Sequence, residues 1–216
     1  MTGPDRVDLG HLGLGPVTLV HGDLATLQAD VLVNEANNYL QMSSGVSGAL
    51  RSRGGMEIHI EAVAHAPKPM GRVIRTSAGK LDAKAVYHAV LVDYTDGRGM
   101  SSKVVASVVE EVLAMAEEEG FVTIAMPLFG AGGSGLAIET SLAAMVEGLE
   151  AAGRERTGGG AITIAVRDAD DFERACEVAR SLKAGEGRRA EESQLAEDFL
   201  AELMGSMGDL DLGSLE

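Results

Sequence analysis

Residues Val122–Ser141 read VTIAMPLFGAGGSGLAIETS, and the interpretation of the whole chain starts from this stretch. Its first residues are apolar enough for a buried strand, its middle is a glycine-rich turn, and apolar side chains recur at helical spacing from Ala137 to about Glu150. A strand, a glycine loop and a helix N-terminus together favour phosphate binding, because glycines let backbone N–H groups approach a ligand and the helix end has a partial positive charge. The alternative is a tight turn that only packs the helix onto the sheet.

The glycines of this loop fit neither of the two common nucleotide-binding motifs. Gly130, Gly132 and Gly135 match G-x-G-x-x-G, which on its own is a weak signal. A P-loop needs a lysine at the start of its helix, and no lysine stands in this loop or in the helix that follows. A dinucleotide-binding unit needs an acidic residue about 20 residues on, at the end of the next strand, whereas Asp168 lies further along.

The length and the order of elements predict one layered α/β domain. The chain has 216 residues, enough for a single domain with a proper core. We expect strands near residues 5–9, 16–21, 30–33, 72–76, 85–92, 122–126 and 161–166, and helices near 49–53, 56–66, 102–119, 137–150 and 170–183. Strands that alternate with helices favour a layered sandwich. We therefore assign residues 1–183 to the folded domain.

The remaining residues, 184–216, differ in composition and predict an acidic, mobile C-terminal tail. Nine acidic residues and two arginines give this segment a net charge of −7. A short amphipathic helix, which would let the tail dock on a partner protein or on this domain, is indicated by the spacing of Leu195, Phe199, Leu200, Leu203 and Met204. A fully disordered acidic tail is the alternative.

The charge of the chain argues against nucleic-acid partners. The formal net charge is −15, of which −8 remains on the folded part. An acidic domain repels a nucleic-acid backbone, so we expect no duplex DNA or RNA as a partner. An anionic ligand would have to be held by backbone amides and dipoles rather than by a basic patch.

The chain offers no pattern for a disulfide, a metal or a membrane segment. The single cysteine, Cys176, excludes an internal disulfide, and the five histidines have no metal-ligand spacing. We therefore expect no metal and no cofactor. There is no secretory signal and no run of about 18 apolar residues, so we expect no membrane partner and a cytoplasmic location.

Two further segments of small or polar residues follow predicted strands. The asparagines of Asn34–Asn38 suit turn chemistry, and Asn37 is in addition a candidate for hydrogen bonding to a sugar hydroxyl. Met42–Gly48 is a loop of small residues that precedes the helix at 49–53. Because this loop and the glycine loop each open a helix, we expect both to face one ligand.

Four segments, taken in this order and spacing, resemble the macrodomain family of ADP-ribose-binding modules. They are Gly22–Leu24 (GDL), Val33–Leu40 (VNEANNYL), Ser44–Leu50 (SGVSGAL) and Pro127–Gly135 (PLFGAGGSG). The resemblance extends from about Val17 to about Leu182. It implies a three-layer α/β/α sandwich with a mixed central sheet.

The resemblance also implies roles for individual residues. Asp23 would accept a hydrogen bond from the adenine amino group, while the Leu24 N–H reaches a ring nitrogen, and Asn37 would lie at the distal ribose. The backbone of two loops would hold the diphosphate. These loop residues are Gly45, Val46 and Ser47, and then Gly130, Ala131, Gly132, Gly133, Ser134 and Gly135.

The chain departs from the family pattern where catalysis and stacking are concerned. The hydrolytic branch has an aspartate in the first loop, thought to assist attack of water at the distal ribose, and this chain has Ser47. The two candidate catalytic residues are Asn37 and Ser47. A serine is no general base without a base beside it, and an asparagine takes no proton at neutral pH, so neither residue supplies the general base that hydrolysis needs. Ser134 stands where many relatives have an aromatic residue, and Arg167 or Phe172 would have to stack on adenine.

We therefore expect a domain that binds ADP-ribose, free or attached to proteins, and so acts as a reader of ADP-ribosylation. The nearest alternative is an enzyme, either an ADP-ribosyl hydrolase or an O-acetyl-ADP-ribose deacetylase. Alternatives from other classes are an interaction scaffold that acts through the acidic tail and a nicotinamide-dependent dehydrogenase. The dehydrogenase is disfavoured because the glycine loop lies so late in the chain.

Overall fold

The computed structural model describes residues 5–12, 15–95, 100–131, 135–154 and 160–183. The chain divides into two units, Met1–Val178 and Ala179–Glu216. The predicted acidic tail, 184–216, lies outside the described residues, so the tail and the domain boundary at residue 183 stay predictions. Among the residues that are described, no helix combines the length and the apolar composition needed to cross a membrane.

Strands and helices alternate along the described residues as the sequence predicts. The strands are β1 (Arg6–His11), β2 (Pro16–His21), β3 (Val31–Asn37), β4 (Val73–Ser77), β5 (Ala85–Val92), β6 (Thr123–Pro127) and β7 (Ala161–Val166). The helices are α1 (Gly45–Gly54), α2 (Met56–Ala64), α3 (Ser102–Glu118), α4 (Ile138–Arg154) and α5 (169–183), with a short 3-10 helix at Leu24–Thr26.

The strands form one mixed sheet between helices. Their order is β1-β2-β7-β6-β3-β5-β4. The inner strands β2, β7, β6, β3 and β5 run parallel, whereas β1 and β4 pair antiparallel at the two edges. Helices α1 and α2 pack on β3 and β4, and α3 packs on β5 and on α4. The predicted three-layer α/β/α sandwich with a mixed central sheet is confirmed.

Apolar side chains of the sheet form a core with α1 and α2. Leu32 of β3 and Val86 of β5 are buried in one cluster with Leu50 of α1 and Ile58 of α2. Burying a side chain of this size contributes about 1.5–3 kcal/mol each. This burial therefore holds α1, whose first turn faces the cleft described below, against the sheet.

Two of the elements that differ from their predicted bounds lie beside that cleft. The sequence predicts a strand that ends at Val33, whereas β3 continues to Asn37 because its last residues pair with β5, with a register shift between Ala36 and Asn37. The sequence predicts a helix from Ala49, whereas α1 begins at Gly45, so part of the predicted loop is its first turn. Gly45 has a φ of 59°, a left-handed conformation that glycine adopts without strain.

The chain changes direction across the sheet between β3 and β6. From β3 it continues to β4 and β5 on one side, and from β6 it continues to β7 on the other. The two strands pair at Val31–Ile124 and Leu32–Ala125, near their amino ends. A crevice therefore opens between their carboxyl ends, which is the position at which open α/β sheets bind ligands.

The carboxylate of Asp30 closes the opposite end of this crevice. Its Oδ2 accepts hydrogen bonds from the N–H groups of Val122 (2.8 Å) and Thr123 (3.0 Å), and its Oδ1 lies 2.7 Å from Lys84 Nζ. The hydrogen bond from Lys84 and then that from the Val122 N–H lower the pKa of Asp30 to about 2, although burial opposes them. The Asp30 side chain is 13% exposed and that of Lys84 is 62% exposed, so water screens the ion pair in part and the backbone hydrogen bonds contribute beside it.

We expect Asp30→Asn to lower the free energy of unfolding by about 2 kcal/mol at neutral pH, because the lowered pKa stabilises the folded state above the ordinary value of 3.8. This contribution is lost as the pH falls from 3.8 through about 2, so the difference between variant and parent should shrink in acid. Urea unfolding at neutral pH and near pH 2 measures both effects.

The matched control is Asp82→Asn at an exposed aspartate, whose carboxylate accepts a hydrogen bond from Gln28 at 3.4 Å. We expect this variant to change the free energy of unfolding by less than about 0.5 kcal/mol. An equal loss in both variants would contradict the role assigned to Asp30.

Candidate functional site

The crevice between β3 and β6 widens into a cleft of about 710 Å³. Residues at or just after the ends of β2, β3, β5, β6 and β7 line it, together with the first turn of α1. A volume of about 300–1,000 Å³ is typical of sites for small molecules and cofactors. The cleft is therefore large enough for a nucleotide-sized ligand.

Most of the ligand-binding residues predicted from the sequence line this cleft. They are Asp23, Leu24, Asn37, Gly45, Val46, Ser47, Ala131 and Arg167. Gly130 is buried, and Gly135, although described, is not among the lining residues. Gly132, Gly133 and Ser134 lie outside the described residues, so their roles stay predictions.

The last asparagines of the Asn34–Asn38 segment hold the turn that follows β3. Asn37 Oδ1 accepts hydrogen bonds from the N–H groups of Tyr39 (3.0 Å) and Gln41 (3.3 Å), and its Nδ2 donates to the Gln41 carbonyl at 3.2 Å. Asn38 Oδ1 accepts from the Tyr94 N–H at 3.1 Å. The Asn37 side chain therefore has the turn chemistry expected of asparagine and also lines the cleft, whereas Asn38 joins this turn to the chain after β5.

A buried chain of hydrogen bonds runs from the first turn of α1 into the sheet. Ser47 Oγ donates to Asn34 Oδ1 at 2.8 Å and also lies 3.0 Å from the Glu35 carbonyl oxygen. Asn34 Nδ2 donates to His88 Nδ1 at 3.0 Å, so the neutral ring carries its proton on Nε2 and donates to Thr76 Oγ1 at 2.9 Å. The Ser47 hydroxyl thus serves the fold as a donor to an amide oxygen, and a serine without a base beside it is no general base.

Burial keeps His88 neutral. The residue is fully buried on β5, and this burial lowers its pKa from 6.5 to about 4, against a smaller opposing effect of the Glu61 carboxylate. A protonated ring would donate from both nitrogens and would lose the hydrogen bond from Asn34 Nδ2. The chain of hydrogen bonds therefore requires the neutral form.

The first turn of α1 presents backbone N–H groups to the cleft. Gly45, Val46 and Ser47 all line it, and the first N–H groups of a helix have no partner inside the helix. Within the described part of the chain, the side chain of the N-cap residue, Ser44, makes no hydrogen bond to them. Because α1 is 10 residues long, its dipole adds partial positive charge at this end, and the turn favours an anion.

The segment Leu128–Ala131, which we call the second-loop start, is tethered to β7 and α4. The Leu128 N–H donates to the Ala165 carbonyl at 3.1 Å, and the Ala131 N–H donates to the Leu128 carbonyl at 3.2 Å. Ser141 Oγ donates to the Phe129 carbonyl. The backbone opposite α1 is therefore held by elements that flank the crevice.

A further tether crosses the crevice itself. The Gly130 N–H donates to Glu35 Oε2 at 2.9 Å, and Glu35 lines the cleft. Gly130 has a φ of 78°, and a Cβ there would lie 3.0 Å from the Leu136 Cβ and 3.3 Å from the Met100 sulfur. Glycine is required at this position because other residues would be both strained and crowded.

The end of the cleft beside β2 and β7 contains the predicted adenine-binding residues. Asp23 Oδ1 accepts the Ala25 N–H at 3.0 Å and so caps the short 3-10 helix. Of the two residues predicted to stack on adenine, Arg167 is exposed and lines the cleft. Phe172 is 7% exposed and stacks on His21 with ring centroids 5.3 Å apart, so it packs within the protein.

The charged side chains that line the described part of the cleft are mostly acidic. Asp23, Glu35, Asp168 and Asp171 contribute carboxylates, beside the guanidinium of Arg167. An anionic ligand would therefore depend on backbone N–H groups, as the net charge predicts. Among the described residues, no group of three or more His, Cys, Asp or Glu side chains is arranged to hold a metal ion.

Sequence reasoning missed lining residues that come from neighbouring strand ends. Val92 and Tyr94 line the cleft at the end of β5, and Tyr94 is 64% exposed. The sequence did indicate these two residues, because they stand at or just after the end of a predicted strand, and the carboxyl ends of adjacent parallel strands meet at one edge of a sheet. The side chain of Glu35 had no such signal, since it enters the cleft only because β3 continues to Asn37.

Sequences similar to this chain match its central part. The family model described as "Macro domain" matches residues 33–145. The chain is 37% identical over 131 residues to an uncharacterized protein of Aquifex aeolicus, spanning 61% of this chain and 79% of that protein. It is 40% identical over 124 residues to a macro domain-containing protein of Streptomyces coelicolor, spanning 54% of this chain and 72% of that protein. For a Pyrobaculum aerophilum protein, 42% identical over 120 residues, the alignment spans 64% of the relative.

Solved macrodomain structures have the same fold. An Oceanobacillus iheyensis macrodomain with ADP superposes with a TM-score of 0.74 at 20% identity, covering 83% of this chain and 97% of that one. A Trypanosoma brucei macrodomain in complex with ADP-ribose superposes with a TM-score of 0.66 at 21% identity, covering 74% of this chain and 67% of that one. At these identities the similarity establishes the fold alone.

We expect the free energy of unfolding to fall by about 2 kcal/mol between neutral pH and about pH 5 through His88 alone. Its folded pKa lies below the unfolded value of 6.5, so the unfolded state binds the proton first, and stability is lost as the pH falls from 6.5 towards about 4. Urea unfolding of the parent and of His88→Gln at both pH values tests this, and the variant should lose most of the dependence. His65→Gln, at an exposed histidine, is the control; a loss of pH dependence in the control and not in His88→Gln would contradict the assignment.

Proposed function

The chain belongs to the Macro domain family, and on this premise we propose that it binds ADP-ribose, free or attached to a protein, as a reader of ADP-ribosylation. The observation that carries the proposal is the cleft of about 710 Å³ at the β3–β6 crevice, where the segments that resemble the family's binding motifs meet. Two similar macrodomains were solved with ADP and with ADP-ribose. ADP-ribose is therefore the first ligand to test.

The diphosphate would lie between the first turn of α1 and the second-loop start. The N–H groups at Gly45 and Val46 open a helix whose dipole favours an anion. Ala131 lines the cleft on the opposite side. This arrangement supports binding through backbone amides, which suits a cleft whose side chains are mostly acidic.

The adenosine and the distal ribose would occupy opposite ends of the cleft. Asp23, Leu24 and Arg167 meet at the end beside β2 and β7, where a carboxylate, a backbone N–H and a guanidinium suit an adenine ring. Asn37 lines the cleft at the end of β3, where its amide would face the distal ribose. The nicotinamide-dependent dehydrogenase alternative has no support from the family to which the chain belongs.

Hydrolysis of ADP-ribosyl linkages is the second candidate activity. Its two candidate catalytic residues are both engaged in the fold: Ser47 donates to Asn34, and the Asn37 amide holds the turn after β3. Neither side chain accepts a proton at neutral pH. We therefore propose binding as the main function and slow or absent hydrolysis.

Two further proposals concern the rest of the chain. The acidic composition and the leucine spacing of residues 184–216 support a protein partner for this segment. The second proposal is a cytoplasmic location, which stays the expectation stated from the sequence.

We expect Asp23→Ala to weaken ADP-ribose binding by about 1.5–3 kcal/mol, the range for a hydrogen bond to a charged group. Loss of the cap on the 3-10 helix should lower the free energy of unfolding by only about 1 kcal/mol, so the domain stays folded. Isothermal titration calorimetry of the full chain with ADP-ribose measures the effect, with AMP and NAD as weaker-binding comparison ligands.

Asp8→Ala is the matched control for this variant. Asp8 Oδ1 accepts a backbone N–H two residues on, that of Gly10 at 2.8 Å, as Asp23 does with Ala25, but Asp8 is not among the residues lining the cleft. The control should bind ADP-ribose as the parent does. Equal affinity of Asp23→Ala and parent would remove Asp23 from the site, and no heat from the parent would favour the scaffold alternative.

We also expect the unmodified protein to release little ADP-ribose from a protein modified on carboxylate side chains. A missing general base typically costs about 10²–10⁴-fold in rate. Release is measured over time by chromatography, with Asp23→Ala as the control that separates cleft-dependent release from background. Rapid release of ADP-ribose by the parent, abolished in Asp23→Ala, would mean that the protein is a hydrolase and not a reader.

A further inference from the structure

The carboxylate of Glu35 spans the crevice between β3 and the chain after β6. The pairing of β3 with β6 covers Val31–Ile124 and Leu32–Ala125. Glu35 lies beyond these pairs, and its Oε2 accepts the Gly130 N–H at 2.9 Å. A side-chain hydrogen bond thus joins β3 to the chain after β6, beyond the point at which the backbone pairing of the two strands ends.

The backbone geometry at Gly130 makes this bond consequential for the cleft. The neighbouring residue, Ala131, lines the cleft, and Gly130 is buried against Leu136 and Met100. A bond between an ionised carboxylate and a backbone N–H is shorter and stronger than one between neutral groups. The Glu35 carboxylate therefore bonds the second-loop start to β3 next to a residue that lines the cleft.

The same carboxylate adds a negative charge to the cleft. Glu35 lines it together with Asp23, Asp168 and Asp171. A carboxylate within a few ångströms of a bound anion opposes binding, and the repulsion is weaker in high salt. Glu35 thus has two effects of opposite sign, since its hydrogen bond arranges the backbone and its charge repels an anionic ligand.

Resting on the proposed function, we propose that Glu35 is a positioning residue for ADP-ribose binding, which holds the second-loop start against β3 and at the same time limits affinity for the anionic ligand. A neutral acceptor of the same shape would keep the first effect and remove the second. A side chain without an acceptor would remove both. The two effects are therefore separable by substitution.

The hydrogen bond is tested first, without any ligand. In the parent, the Gly130 amide resonance should follow the titration of the Glu35 carboxyl in acid, because protonation weakens the bond that this N–H donates. In Glu35→Gln that titration should vanish. A Gly130 amide that ignores pH in the parent would overturn the proposal, whatever the protein binds.

Calorimetry with ADP-ribose then separates positioning from charge. Glu35→Gln should bind about three- to ten-fold more tightly than the parent, with the gain largest at low salt. Glu35→Ala should bind several-fold more weakly than Glu35→Gln, although both lack the charge. Asp171→Asn is the control for charge alone, since it removes a cleft carboxylate and should leave the Gly130 amide unchanged.

Three calorimetric outcomes would overturn the proposal. Weaker binding by Glu35→Gln than by the parent would mean that the carboxylate contacts the ligand directly. Equal binding by Glu35→Ala and Glu35→Gln would mean that the hydrogen bond positions nothing that matters for the ligand. An affinity gain in Glu35→Gln that is the same at low and high salt would mean that repulsion by the Glu35 charge does not limit the affinity of the parent. Absence of binding by the parent refutes the proposed function instead, and thermal unfolding of each variant identifies any general loss of fold.

Discussion

The cleft depends on the way in which β3 lies against β6. The two strands are joined at their amino ends by two backbone pairs and by the Asp30 carboxylate, which accepts the N–H groups of Val122 and Thr123. Beyond Leu32 the strands lead to different sides of the sheet, so their carboxyl ends separate. The short pairing of β3 with β6 therefore joins the two strands at their amino ends and leaves their carboxyl ends apart. The loops that follow the two strands face each other across this opening.

The acidity of the domain is compatible with an anionic ligand because charge is not the only means of attracting one. Four carboxylates line the described cleft beside Arg167. The groups that would bind phosphate are backbone N–H groups at the start of α1, whose direction is set by the helix and whose partial charge is the same at every pH. Backbone amides of this kind are selective for shape, since they bind an anion only where its oxygen atoms meet the N–H directions.

The buried network behind α1 explains why serine suits position 47. Its hydroxyl donates to Asn34 Oδ1 and lies close to the Glu35 carbonyl, so both neighbours are acceptors. An ionised aspartate in the same place would present an acceptor to these oxygen atoms and would be buried without a donor, which is costly. The network continues through His88 to Thr76, and thereby ties the first turn of α1 to three strands of the sheet, β3, β5 and β4.

The sequence by itself determined the elements and the segments that meet at the cleft. Apolar periodicity and glycine clusters are local patterns, and they were sufficient for the bounds of β2, β5 and β7. Only the tertiary structure decided which side chains face the cleft. Glu35 enters the cleft because β3 continues by pairing with β5, and Arg167 lines it while Phe172 stacks on His21. These outcomes depend on contacts and strand register between residues far apart in the chain, and a local pattern contains no information about either.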